Sequence, residues 1–230
     1  VAAQSARLFE NLAPRFSKKC LKAAERAWKA AQENPKVVAP PMIDGGGGYG
    51  DAIFTDEFYW AAAELFITTG KAEYKDFVLQ SKHHNKLPTN AGGGTASMSW
   101  DHVGALGLIS LAVVPSSLGG VEVEKSRQAI IKVADGYLDL IEKRGYRVPV
   151  KSDTKSPWGA NSFILNDIVI LGLAYDFTKQ QKYVDGAIDS MDYILGRNPL
   201  SQSYVTGYGD RPLQNPHHRF WANGRSMLTV

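Results

Sequence analysis

Cysteine is almost absent from this chain, since Cys20 is the only one among 230 residues. A single thiol excludes an intrachain disulfide, and it carries no information about the compartment in which the protein works. Cys20 lies in a helical pattern, so we interpret it as a buried structural thiol.

The chain also has little excess of positive over negative charge, and it has no long apolar runs. The formal net charge is only +3, and lysine and arginine form no block, so nucleic-acid binding is not predicted. No stretch approaches the roughly 20 apolar residues of a membrane span, so no membrane partner is predicted. No secretory signal is present, although the sequence opens directly in a helical pattern and a leader could have been removed.

Helical periodicity is what the sequence has in abundance. Hydrophobic residues make up 44% and charged residues 21% of the chain, which fits one large domain with a substantial core. Strand-like alternation is scarce, so the fold is predicted to be all-α. We expect helices at residues 1–34 (a pair, with Pro14 in the first turn of the second), 55–69, 72–84, 98–113, 121–143, 161–177 and 180–195. Thr55 is the expected N-cap of the third helix, and Gly70 is its expected end.

Two segments of the chain are weakly similar to each other in sequence. ELFITTGKAEY, from Glu64 to Tyr74, and LAYDFTKQQKY, from Leu173 to Tyr183, each end one predicted helix and open the next. In both, a threonine precedes a tyrosine by five residues. This repetition predicts stacked helical hairpins.

The most distinctive stretch runs from Asp192 to Arg219. An amphipathic helix ends at Gly196, and Asn198-Pro199 prevents the helix from continuing. A long loop follows that is too rich in aromatic residues for a disordered segment. Loops of this length in compact domains are usually functional.

That loop resembles the active-site histidine signature of glycoside hydrolase family 9, the inverting cellulases. Every constrained position of the pattern Ser-x-Val-Thr-x-x-Gly-x-Arg-x-x-x-x-Pro-His-x-Arg is filled between Ser203 and Arg219, and the lead-in DYILGRNPL also matches. Further similar segments are TDEFYWAAAELF at 55–66, SMSWDHVGALG at 97–107 and SPWGANSFILN at 156–166. The resemblance therefore covers almost the whole chain, although residues 224–230 depart from the family pattern.

The resemblance implies an (α/α)6 barrel, with residues 1–230 as part of a single glycoside hydrolase catalytic domain. The family takes its catalytic base from an Asp-rich motif upstream of this region and its acid from a Glu downstream of the histidine signature. Neither motif occurs here, and GGGGYGD at 45–51 resembles the first only superficially. We therefore expect an incomplete portion of the barrel, with the acid and base outside this chain.

The activity implied by the resemblance is hydrolysis of β-1,4-glucosidic bonds in cellulose or related β-glucans with inversion. Cello-oligosaccharide or β-glucan is the expected partner, together with other modules of the full-length protein, and the expected location is extracellular. An alternative is a non-catalytic carbohydrate-binding helical domain derived from such a barrel. Another (α/α)-barrel hydrolase or lyase is disfavoured by the complete signature.

His217 and Arg219 are the expected site residues of the signature. By resemblance they line the substrate cleft near the scissile bond and position the substrate, and they are not the proton-transfer residues. An arginine offers a planar fork of donors for sugar hydroxyls, and a histidine can hydrogen-bond a hydroxyl in either protonation state. His218 falls at a variable position and is interpreted as structural. Further candidates for substrate contact in this loop are Tyr204, Tyr208 and Arg211, although tyrosines in such loops often only pack.

Aromatic platforms for sugar rings are expected elsewhere in the chain. Trp158, after Pro157 at the start of a helix, is the first candidate and Trp100 the second, while Tyr49 in the glycine-rich loop also borders the expected cleft. Trp28 and Trp60 lie at core spacing within helices. One departure weakens this interpretation, because Ala96 occupies the place where some family members carry a stacking tryptophan.

Asp56, Glu57 and Asp101 form a candidate calcium site that the resemblance implies. Calcium takes several oxygens from carboxylates and backbone carbonyls, and the carbonyls around residues 51–53 could contribute. Acids that simply favour a helix N-terminus are an equally good interpretation of the pair. No organic cofactor is expected.

Overall fold

The computed structural model describes residues 1–37, 51, 53–91, 96–150 and 159–216. The regular elements of these residues are helices, with only isolated β-bridges such as Ala91–Ala96, so the predicted all-α class is confirmed. The helices are α1 Ala2–Leu8, α2 Pro14–Glu33, α3 Thr55–Thr69, α4 Ala72–Gln80, α5 Gly104–Val113, α6 Gly120–Lys143, α7 Ala160–Thr178 and α8 Gln181–Leu195.

Several helix ends follow directly from single residues. Pro14 begins α2, where its missing N–H leaves no intrahelical hydrogen bond unmade. Gly70 ends α3 with φ +68, and Gly196 ends α8 with φ +141, both in the backbone region that glycine tolerates best. These three predictions are confirmed.

Three predicted boundaries are wrong. The helix expected at 98–113 begins only at Gly104, because Ser99 and His102 exchange two backbone hydrogen bonds of 3.1 and 3.2 Å that close a turn. The helix expected at 72–84 ends at Gln80, since Ser81 is extended. Thr55 is the first residue of α3 and not its N-cap, because its hydroxyl lies 2.8 Å from Nε2 of His83.

Backbone contacts divide the chain into two compact units, with the boundary inside α6. Of the described residues, the first unit contains 1–37, 51, 53–91 and 96–133, and the second contains 134–150 and 159–216. In the first unit α3 packs against α1, α4 and α5. In the second unit α7 packs along α8 around the buried residues Val148, Ile164 and Ile194.

Glu64 connects three helices of the first unit. Glu64 is 2% exposed, and its Oε1 accepts hydrogen bonds from Gln4, Trp60 and Ser110 at 2.8, 3.1 and 2.6 Å. Arg7 donates to Oε2 at 2.6 Å. The carboxylate is thus fully paired, as burial of a charge requires. These bonds hold α1 and α5 against α3.

In the structure, the two similar segments, residues 64–74 and 173–183, form turns of the same conformation. Gly70 and its counterpart Lys179 both adopt the left-handed conformation, with φ +68 and +58. Thr69 and its counterpart Thr178 each donate a hydroxyl hydrogen bond to the carbonyl four residues earlier, at 2.7 and 2.8 Å. Each threonine also accepts from the backbone N–H two residues later. The predicted pairing of helices at these two places is confirmed.

Helix α7 is apolar on more than one face. It buries Phe163, Ile164, Asp167, Ile170, Leu171 and Ala174, yet Leu165 and Val169 on the opposite face are 42% and 48% exposed. By length and composition alone it could cross a membrane, contrary to the expectation that no stretch approaches a membrane span. Within its unit it packs along α8 and buries the carboxyl group of Asp167.

Candidate functional site

The loop that carries the histidine signature folds back on the end of α8. Ser203 is buried, donates its N–H to the carbonyl of Arg211 at 2.9 Å, and accepts from the N–H of Leu213 at 2.8 Å. Gly209 has φ +88, and a Cβ there would lie 3.3 Å from Cβ of Ser203. These contacts explain why the signature requires a small residue at both positions. The described part of the loop ends at Pro216, directly before the signature histidine.

Tyr204 and Tyr208 have different environments in this loop. Tyr204 donates its N–H to the carbonyl of Ile194 at 2.8 Å, and its ring lies 6.1 Å from that of Tyr193. Burial raises the pKa of Tyr204, and Tyr193 adds to the effect. Tyr208 is 59% exposed. Tyr204 therefore packs the base of the loop, whereas Tyr208 presents its ring to solvent.

Of the remaining predicted substrate residues, only Arg211 and Trp100 lie within the described part of the chain. Arg211 is exposed in the second unit, and its carbonyl helps to close the signature loop. Trp100 is 56% exposed in the turn before α5, as a platform residue must be, and belongs to the first unit. Trp28, in contrast, is 8% exposed and part of the core, as predicted. Four further predicted residues lie outside the described residues: Tyr49, Trp158, His217 and Arg219.

An acid cluster forms where α3 begins. Asp56 is 3% exposed, and its Oδ2 accepts the backbone N–H of Val103 at 2.8 Å. Its Oδ1 has no hydrogen-bond partner in the described part of the chain, and the same holds for Oε2 of Glu57 and Oδ2 of Asp51, all three buried. Buried oxygens without donors are costly. The cluster therefore has unused acceptor capacity.

Burial and the neighbouring acids shift the pKa of Glu57 in this cluster. Burial raises the pKa of Glu57 to about 8, with further contributions from a hydrogen bond to Asp56 and from the negative charges of Asp56 and Asp51. The side chain of Asp51 is thus part of the cluster, whereas only backbone oxygens were expected to contribute from residues 51–53. The signal in the sequence is an acid five residues before an acid pair.

Asp101, the third predicted metal ligand, has other partners. Ser99 donates a short hydrogen bond to its Oδ1, and Nδ1 of His102 lies 3.2 Å from the same oxygen. Burial by itself would raise the pKa of Asp101, but these two neighbours outweigh it and hold the pKa below its usual value. Among the described residues, no group of three or more His, Cys, Asp or Glu has the arrangement of a ready-made metal site.

Two histidines that sequence reasoning missed connect α3 to α6. Oγ1 of Thr55 lies 2.8 Å from Nε2 of His83, and the hydroxyl of Tyr59 lies 3.3 Å from Nδ1 of His84. Nε2 of His84 in turn lies 3.1 Å from Oε2 of Glu122. Both histidines fall at the end of the helix predicted at 72–84, and nothing in the sequence pattern marked them as functional. They fix the turn at residues 81–86 beside the acid cluster.

Comparison with known proteins agrees with the signature and with the helical fold. The model of the family described as glycosyl hydrolase family 9 matches residues 1–227. The chain belongs to glycosyl hydrolase family 9. The resemblance inferred from the sequence is thereby confirmed.

Relatives of this family 9 chain are much longer than it is. It is 48% identical to a cellulose 1,4-β-cellobiosidase of Acetivibrio thermocellus, over 95% of this chain and 26% of that protein. It is 38% identical to endoglucanase C of Cellulomonas fimi, over 97% of this chain and 20% of that protein. The chain thus spans about a quarter and a fifth of the lengths of these two relatives.

Solved structures of the family share the fold. A metagenome-derived family 9 endoglucanase matches with a TM-score of 0.79 at 31% identity, over 96% of this chain and 39% of that chain. A family 9 protein of Bacteroides ovatus matches with a TM-score of 0.80 at 32% identity, over 95% of this chain and 41% of that chain. Because the family 9 fold is an (α/α)6 barrel, the prediction of an incomplete portion of such a barrel is confirmed.

Proposed function

We propose that the full-length protein containing this family 9 chain hydrolyses β-1,4-glucosidic bonds in cellulose or related β-glucans with inversion. The observation that carries this proposal is the family match over residues 1–227, supported by relatives described as a cellobiosidase and an endoglucanase. An inverting enzyme needs two carboxyl groups roughly 6.5–9.5 Å apart. One gives its proton to the leaving glycosidic oxygen, and the other takes a proton from the water that attacks the anomeric carbon from the opposite face. In our proposal both lie outside this chain.

This chain would supply walls of the substrate cleft. His217 and Arg219 are proposed to hydrogen-bond and orient the sugar next to the scissile bond. Trp158, Trp100 and Tyr49 are proposed as platforms, and Tyr204 and Arg211 as further contacts. The exposure of Trp100 supports its role, whereas the packing of Tyr204 favours a supporting position for that residue.

The proposal also covers the organisation of the protein. We take residues 1–230 as part of one catalytic domain, to which other modules of the full-length protein are joined. An extracellular location follows from the proposed substrate, because an insoluble polymer must be attacked outside the cell.

A structural calcium ion is part of the proposal. Buried oxygens of Asp51, Asp56 and Glu57 lack hydrogen-bond donors among the described residues. Hard oxygen ligands of this kind suit calcium. These three residues would hold it, with Asp101 as a further proposed ligand. The ion would neutralise the cluster and fasten the start of α3 to the segment before it.

The test of the activity is reducing-sugar release from soluble β-glucan by the full-length protein, with the anomer of the first product followed by NMR. Inversion of a β-linkage gives the α-anomer first. Absence of release, or a β-anomer product, contradicts the proposal. The 230-residue chain alone should release nothing. Release by it that is abolished in His217→Ala would place the acid and base inside this chain.

A further inference from the structure

A groove in the first unit is built from residues that the signature does not include. Its cavity of about 950 Å³ lies between the end of α2, the segment before α3, and α4. A smaller cavity of about 330 Å³ adjoins it, since both are lined by Phe58 and Phe77. We call the two together the Phe58–Phe77 groove. Cavities of several hundred cubic ångströms are typical of small-ligand sites.

The floor of the Phe58–Phe77 groove is aromatic and well supported. The two phenyl rings lie 6.2 Å apart between centroids and are inclined by only 35°. Behind them, Trp28 contacts Phe77 and Phe58 edge-to-face at 5.0 and 5.7 Å. Because Trp28 is itself in the core, the two partly exposed rings are held in place before any ligand arrives. Phe54 extends the same floor.

The rim of the Phe58–Phe77 groove is polar. It carries amide, ammonium, carboxylate and hydroxyl groups, from Gln32, Lys36, Lys82, Asp51 and Thr55. In the described part of the chain, Lys36 and Lys82 form no ion pair or hydrogen bond, so their donors are available. With two lysines and one aspartate, the rim has little net charge.

These properties together suit a neutral sugar chain. A pyranose ring presents apolar C–H groups on its faces and hydroxyls around its edge, which match an aromatic floor with a polar rim. A lipid would leave the rim donors unpaired, and a nucleic acid would require more cations than two lysines beside a carboxylate. We propose that the Phe58–Phe77 groove binds a segment of a β-glucan chain, with the identity of the sugar resting on the proposed function.

The experiment compares kinetics on long and short substrates in the full-length protein. Phe77→Leu keeps apolar bulk against Trp28 but removes the flat ring, and a Lys36→Ala, Lys82→Ala double variant removes rim donors without touching the floor. Each should raise KM for soluble β-glucan about threefold to tenfold, because one stacked ring or a pair of hydrogen bonds is lost. KM for cellotetraose and both kcat values should stay unchanged.

Matched controls are available on the same helices. Leu79→Ala alters an exposed apolar residue of α4, and Lys29→Ala an exposed lysine of α2, neither of which lines the groove. Both should leave every KM unchanged. If the double variant and a folded Phe77→Leu keep the wild-type KM for β-glucan, the groove assignment is wrong.

A binding measurement separates this inference from the proposed function. Retardation in gels that contain soluble β-glucan reports binding without requiring hydrolysis. A wild-type protein that hydrolyses no β-glucan would overturn the proposed function alone. Loss of retardation in both groove variants would still support binding of β-glucan in the Phe58–Phe77 groove. Stronger retardation of the wild type by polygalacturonate than by β-glucan would overturn the assignment to a neutral glucan.

Discussion

Gly107 of α5 lies directly against the backbone of Trp60 in α3. A Cβ at position 107 would lie 3.0 Å from Cα of Trp60 and 3.1 Å from two ring carbons of Tyr59. Backbone atoms cannot move away as a flexible side-chain end can. The close approach of α3 and α5, and with it the position of the acid cluster between them, therefore depends on this glycine.

Gly107→Ala should destabilise the chain by about 1–3 kcal/mol, because overpacking outweighs the higher helix propensity of alanine. The control is Gly136→Ala in α6, where a Cβ meets no atom within 4 Å. That substitution should gain up to about 1 kcal/mol. Urea unfolding of both variants measures the difference, and equal effects would contradict the steric argument.

Glu64→Ala should cost about 3 kcal/mol or more, because it leaves Arg7 without its buried partner and removes three further hydrogen bonds. Glu33→Ala is the matched control. Glu33 is exposed and lies 4.0 Å from Lys29, so its loss should change the free energy of unfolding by less than about 1 kcal/mol. A similar small loss for Glu64→Ala would show that its four bonds contribute little.

Asp167→Asn should stabilise the 230-residue chain at neutral pH. Asp167 is fully buried and neither oxygen has a hydrogen bond of ordinary geometry among the described residues, so burial raises its pKa well above the usual range, with only partial relief from Tyr137. The folded state then keeps a proton that the unfolded state releases. Stability must fall as pH rises from the unfolded pKa of about 4 toward the raised folded value.

The measurement for Asp167 is the urea midpoint at several pH values from 4 upward. The gain from Asp167→Asn should grow with pH over this range. Asp176→Asn, at an exposed acid near the end of the same helix, should leave the pH dependence as in the wild type. A pH-independent difference between Asp167→Asn and the wild type would refute the buried neutral carboxyl.

Calcium should raise the melting temperature of the protein in a concentration-dependent way, since a ligand that binds only the folded state stabilises it by mass action. Glu57→Gln should abolish this response. Glu73→Gln, at an acid in the first turn of α4, should retain it, which separates metal binding from a simple helix-dipole effect. Asp51→Asn and Asp101→Asn, measured separately, then show whether each of these two acids contributes a ligand.

His217→Ala should lower kcat of the full-length protein on soluble β-glucan by tenfold or more, because a hydrogen bond that positions the substrate is lost. His218→Ala, the neighbouring histidine at a variable signature position, should retain most of the activity. Equal losses in the two variants would remove the special role assigned to His217.

Many features of this protein could be predicted from residues that lie close together in the sequence. The positions of Pro14, Gly70 and Gly196 set helix ends, the spacing of apolar residues gave the helical class, and the complete signature between Ser203 and Arg219 gave the family. Each of these depends on residues that are neighbours in sequence, so no tertiary information was required. The start of α5 could not be predicted in this way, because the turn from Ser99 to His102 competes with a helix whose periodicity looks continuous.

The sequence by itself determined the helices, their pairing in two echoing hairpins, and the family. Only the tertiary structure decided which distant groups meet. It brings Asp51 to the acid pair, Glu122 to His84 across 38 positions, and Trp28 behind the rings of Phe58 and Phe77. The physical reason is that side-chain charge and stacking act over a few ångströms in space, and periodicity along one helix does not specify which neighbour its faces will contact.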